Sequence, residues 1–255
     1  MSRATAARPA DAPARSATRS SAKGYFHRSE LPLASLAFVL PLIVLYEVGT
    51  WYFTSDSTHH NEQRIIAFNL MQQFFHLFGA SGRYLPAMAV VGILLSWHIA
   101  RGDNWQVDLR HILGMYVESF LLAVPLIVLG FAAARYLPLM SLHMPPISTL
   151  VLSLGAGIYE ELVFRLIACT VLSFIFIDVL EIRKPVGYLL IVLISSLLFS
   201  FYHYLGNETF QWRSFVFRTA AGIYFGVVFT FRGFGVSAGT HAAYDILVLM
   251  LRSIT

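Results

Sequence analysis

An apolar run reaching from about residue 147 to residue 177 holds three charged residues near its middle, in the segment Tyr159-Glu160-Glu161-Leu162-Val163-Phe164-Arg165. A run of that length suits a helix crossing a bilayer, which takes roughly 20 apolar residues. A carboxylate in hydrocarbon costs about 3 kcal/mol on the insertion scale, and this helix carries two side by side. The spacing separates their jobs. Glu161 and Arg165 are i,i+4, share a helical face and can neutralise each other. Glu160 is rotated by about 100° from Glu161 and has Phe164, not a cation, at i+4. One carboxylate is thus placed in a salt bridge and the other left for other work. Taken alone, the segment also reads as a packing ion pair, with Glu160 satisfied by a backbone group or a neighbouring helix. The rest of the chain shifts the balance.

Of 255 residues, 57% are apolar and 13% charged, about half the charge of an ordinary soluble domain. Further apolar runs recur at about residues 31–53, 84–100, 112–136, 186–205, 214–232 and 236–251. The fold class is therefore all-α, a polytopic helical membrane protein with about seven transmembrane helices. The formal net charge of +4 does not point to nucleic acid, because most of the excess lies in residues 1–30. There Arg3, Arg8, Arg15, Arg19, Lys23 and Arg28 outnumber Asp11 and Glu30. That segment reads as a disordered basic tail, and positive flanks place it in the cytoplasm. Its composition points to a bacterial chain and hence a bacterial cytoplasmic membrane. Cys169 is the only cysteine, which excludes an intrachain disulfide and a cysteine-based metal cluster.

Residues 31–111 read as two transmembrane helices joined by a polar stretch with an amphipathic piece at 65–78. Phe68, Leu70, Met71, Phe74, Phe75 and Leu77 suit a helix lying on the membrane surface. His59, His60 and His76 in this stretch read as solvated, Glu47 as an interfacial carboxylate, and Glu118 in the third span as structural. Gly155, Ala156 and Gly157, one turn before the paired carboxylates, leave room for a close neighbouring helix or a cavity.

Residues 112–255 hold the remaining buried chemistry. His241 and Asp245 are i,i+4 and project together, and Phe199 is i,i+4 with His203. Two histidines and a carboxylate on separate spans, with a free glutamate, must find polar partners inside the membrane. The nearest partners are one another. A glutamate with a histidine can activate a water, directly or at a metal.

Glu160-Glu161-x-x-x-Arg165, Phe199-x-x-x-His203 and His241-x-x-x-Asp245, in that order on separate spans, resemble the CPBP (CAAX protease and bacteriocin-processing, or Abi) family of intramembrane endopeptidases. That family includes the type II CAAX prenyl endopeptidase, and the resemblance covers about residues 112–252. It implies that 112–255 is an intramembrane protease core acting on a membrane-associated protein or peptide. It implies Glu160 as general base, His203 sharing its water, and Glu161 and Arg165 as supports. It implies His241 and Asp245 as stabilisers of the oxyanion. In the prenyl endopeptidases the position matching Asp245 is commonly Asn, so Asp245 must be protonated, orient His241 or bind a metal. Glu160, His203, His241 and Asp245 would suit zinc, and a metal-free route stays open beside it. An idle membrane scaffold of the same family, or a transporter, are the rival readings. Helix alternation sets His203 and His241 near opposite ends of their spans. The glycine-rich stretch 233–239 is where a deep re-entry would let them meet.

Overall fold

The computed structural model describes residues 24–53, 64–134, 146–206 and 208–252, and these are helical with no strand among them. His59, His60, residues 1–23 of the basic tail and the loop at 137–145 lie outside the described residues. A short helix α1 (Tyr25–Ser29) leads into α2 (Pro32–Phe53). The amphipathic α3 (Ile66–Leu77) follows, then α4 (Leu85–Arg101) and α5 (Leu109–Ala134). The carboxylate-bearing helix is α6 (Ile147–Val179), followed by α7 (Lys184–Tyr202) and α8 (Trp212–Arg252). Among the described residues, α2, α5, α6, α7 and α8 are long and apolar enough to cross a membrane, and α4 is a shorter apolar helix. Asp108 starts α5 by accepting the Arg110 N–H at 2.9 Å. That bond holds its carboxyl below the usual range.

The 41 residues of α8 are two helices. Gly233 has φ 77°, which a side chain would resist, and the chain reverses there. The reversal is visible in contacts between the arms. The Ser237 hydroxyl lies 3.2 Å from the Phe225 carbonyl, and the His241 ring stacks on Phe225 at 4.4 Å. Counting the arms separately gives seven apolar helices among the described residues, in line with the roughly seven read from the sequence. The return arm is the centre of the molecule: Phe234, Val236, Ser237, Ala238, Thr240 and His241 are all buried. Small residues admit it. A Cβ on Gly157 of α6 would stand 2.5 Å from the Ala238 carbonyl oxygen, and one on Gly239 would strike Ser119 of α5 and Phe38 of α2. The room expected at Gly155–Gly157 is thus filled by Tyr46 and by this arm.

The turn at Gly233 is held from outside. Arg232 donates to Glu118 of α5 at 2.5 and 2.8 Å, and to Ser29 at 2.7 Å, while Tyr25 donates to Glu118 at 2.5 Å. Glu118 is structural, as read. Burial, then the adjacent Glu118 carboxylate, pushes the Tyr25 hydroxyl up.

Two expectations gain detail. Glu47, near the end of α2, is not left to solvent. It is enclosed in an ion pair with Arg64 at 2.9 Å and receives the Tyr159 hydroxyl at 3.3 Å. The sequence hid this because Arg64 lies across the intervening loop. The amphipathic α3 also packs inward. Ala67, Phe68 and Met71 are buried in the core, while Phe74, Leu77 and Phe78 form its exposed apolar edge. Phe68 packs on Tyr159 at 5.0 Å and Tyr46 at 5.9 Å, aromatic partners that offset the exposure a surface position would leave. His76 is exposed.

Candidate active site

The two adjacent glutamates of α6 sit where its turns widen to π-helical geometry, over Ala156–Glu160 and Leu162–Ala168. Such turns recur at functional sites because they re-aim side chains within a continuous helix. Glu161 is fully buried and saturated. Its carboxylate meets Arg165 at 3.3 Å, accepts the Ser237 hydroxyl at 2.7 Å, and lies 3.0 Å from His241 Nδ1. Arg165, also fully buried, donates to the Gly222 carbonyl at 3.1 Å. Its guanidinium lies over Phe199 at 4.5 Å and Phe225 at 5.6 Å. Planar delocalised cations suit such ring faces.

Glu160 is buried but left with capacity. Oε1 accepts the Tyr202 hydroxyl at 3.2 Å. Oε2 has no hydrogen-bond partner among the described residues. It faces His203 Nε2 at 3.9 Å and His241 Nε2 at 3.8 Å. The far side of each imidazole fixes its near side. His203 Nδ1 sits 2.8 Å from the Phe199 carbonyl, which only accepts, so Nδ1 carries the proton. His241 Nδ1 faces the Glu161 carboxylate in the same way. In the neutral rings both Nε2 lone pairs therefore turn toward Glu160 Oε2. Asp245 Oδ2 lies 3.7 Å from His241 Nε2, and its side chain and that of His203 are 31% and 23% exposed, against 8% for Glu160. The open side of the cluster is the side of His203 and Asp245.

The structure thus brings together Glu160, Glu161, Arg165, Phe199, His203, His241 and Asp245. His203 follows the last residue of α7, and His241 lies about 12 Å along the return arm from Gly233 at 1.5 Å per residue. His203 and His241 nonetheless meet at Glu160.

Sequence reasoning missed Tyr202, which binds Glu160, and Ser237, which binds Glu161. Ser237 could have been found, since it stands one helical turn before His241 on the same face. The donor chemistry of Glu160, His203, His241 and Asp245 is of the kind zinc accepts. Their spacing does not close a ligand set: no three such side chains among the described residues are gathered to hold a metal ion.

Residues 142–247 match the family described as Rce1-like, type II CAAX prenyl endopeptidase Rce1-like. No curated protein and no solved structure matches the chain. The matched segment contains every side chain of the cluster except those that α2 and α3 bring to its edge.

Proposed function

We propose that this integral membrane protein, whose residues 142–247 match the Rce1-like CAAX protease family, is an endopeptidase. It hydrolyses a peptide bond of a membrane-anchored protein or peptide with a water activated by Glu160. One observation carries the reading: the Nε2 atoms of two histidines converge on Glu160 Oε2, the one buried carboxylate oxygen among the described residues that lacks a hydrogen-bond partner. Separations of 3.8 and 3.9 Å exceed a hydrogen bond, and a water set to one side of the pair reaches both atoms.

In this reading the water sits between Glu160 Oε2 and His203 Nε2. Glu160 takes its proton as the oxygen attacks the scissile carbonyl carbon. The carbonyl oxygen becomes an oxyanion beside His241 and Asp245, which supply hydrogen-bond donors when His241 carries a proton on Nε2 or Asp245 is protonated. When the C–N bond breaks, Glu160 passes the proton to the leaving amine. Glu161, locked by Arg165 and Ser237, orients His241.

The test uses the full chain in liposomes with two quenched fluorogenic peptides of one internal sequence. One ends in a farnesylated cysteine followed by three residues, and the other is acylated at its N-terminus. The native chain cleaves at least one, and Glu160→Ala, at equal membrane level, cleaves neither. Cleavage by Glu160→Ala at the native rate would place the chemistry elsewhere. No cleavage of either peptide by the native chain would favour the idle scaffold. Which peptide is cut reports whether a prenyl group belongs to the substrate.

A further inference from the structure

We propose that Tyr202 is a positioning residue for Glu160, and that its hold depends on the seating of α3 against the site. The inference rests on the hydrolase reading above. Tyr202 is buried at the last position of α7, directly before His203. Its hydroxyl has two hydrogen-bond partners among the described residues. The Ala67 N–H donates to it at 2.7 Å, and Glu160 Oε1 lies 3.2 Å away. A backbone N–H can only donate, so the phenol oxygen accepts there and its single hydrogen is left for Glu160. Tyr202 thereby occupies Oε1 and turns Oε2 toward the two imidazoles. The consecutive residues Tyr202 and His203 address opposite oxygens of one carboxylate. The Tyr202 ring is itself wedged against Phe164 at 5.1 Å and His203 at 5.0 Å.

The donor that orients the phenol belongs to the first turn of α3, outside the family-matched segment. That turn is seated by aromatic contacts on the residue preceding Glu160. Phe68 packs edge-on against Tyr159 at 5.0 Å, Arg64 lies over Phe68 at 4.4 Å, and Arg64 and Tyr159 both bind Glu47. The segment around 64–68 therefore touches Tyr159 and Tyr202, the two tyrosines that flank Glu160 in space. If α3 lifts, the Ala67 N–H leaves the phenol and Glu160 is free to turn.

The test measures the same two anchored peptides on the full chain in liposomes. Tyr202→Phe keeps the ring and removes the hydroxyl. It lowers kcat about tenfold, the effect of losing one hydrogen bond of ordinary strength, with KM unchanged. Hydrogen exchange of the Ala67 region of α3 speeds up while α7 exchanges as before. Phe68→Ala unseats α3 with the hydroxyl still present and lowers kcat in the same way. The double variant falls no further than the more affected single one, because both changes break one chain of contacts. Native kcat in Tyr202→Phe would overturn the positioning role. Native exchange at Ala67 in that variant, or additive losses in the double variant, would overturn the link to α3. If the native chain cuts neither peptide, the hydrolase reading falls and the positioning role with it, while exchange at Ala67 still decides the link.

Discussion

Glu160 and Glu161 are neighbours in sequence with opposite surroundings, and the difference is the chemistry of the site. Glu161 has a guanidinium, a hydroxyl and an imidazole around a fully buried carboxylate. Removing Arg165 would leave that charge uncompensated, a loss of about 3–5 kcal/mol. Glu160 keeps one oxygen without a hydrogen-bond partner, a costly state that native proteins retain mainly at working sites. This division was legible in sequence from the i,i+4 spacing of Glu161 and Arg165 alone. Position 245 is harder to read, because an ionised Asp only accepts while an oxyanion needs a donor. As an oxyanion partner, Asp245→Asn retains most activity, since the amide supplies a donor in the same volume. Asp245→Ala lowers transition-state binding by about 3–4 kcal/mol, the scale of one lost oxyanion donor. A chelator leaves the native chain unchanged. A dead Asn variant together with chelator sensitivity would make Asp245 a metal ligand and overturn the assignment.

The elements that carry the site meet because glycine lets them. The return arm of α8 lies so close to α6 at Gly157 that a Cβ there would stand 2.5 Å from a backbone carbonyl and 2.7 Å from Ala242. Backbone cannot rotate aside as a side-chain tip can. Gly157→Ala therefore forces the helices apart and destabilises the fold by about 1–3 kcal/mol, the usual cost of overpacking. It also displaces His241 from Glu160 and lowers activity. The control is Gly92 on α4, where a Cβ would meet nothing within 4 Å. Gly92→Ala is neutral or stabilising, because helix propensity favours Ala by about 1 kcal/mol. Thermal unfolding of both variants in detergent checks the pair, and equal midpoints would refute the close approach. The small residues before Glu160 and the glycines of 233–239 announced this contact in the sequence. The docking of α3 did not show, because an amphipathic pattern is the same whether the apolar face meets lipid or core. Tyr202 was equally silent, since a tyrosine at the end of a span is an ordinary interface residue until its hydroxyl is located.

At the scale of the whole molecule, the outer faces are what a bilayer requires. Val44, Leu45 and Val48 of α2, Leu121 and Val128 of α5, and Val216 and Phe231 of α8 are all exposed. Among the described residues no water-soluble domain covers the cluster, and its more open members are His203 and Asp245 at the edge of the bundle. On the proposed function, a peptide reaching Glu160 passes along or within the lipid. Anchoring confines such a peptide to the membrane and raises its local concentration, as any tether does for a second encounter. The anchored peptide is cleaved at least tenfold more efficiently than the same sequence without its lipid, and the gain lies in KM, because the lipid does not touch the reacting carbonyl. Excess empty liposomes dilute the anchored peptide across membranes and reduce its advantage. Equal kcat/KM for the soluble and anchored forms, unaffected by empty liposomes, would mean that water and substrate reach Glu160 through an aqueous mouth and would remove the membrane from the mechanism.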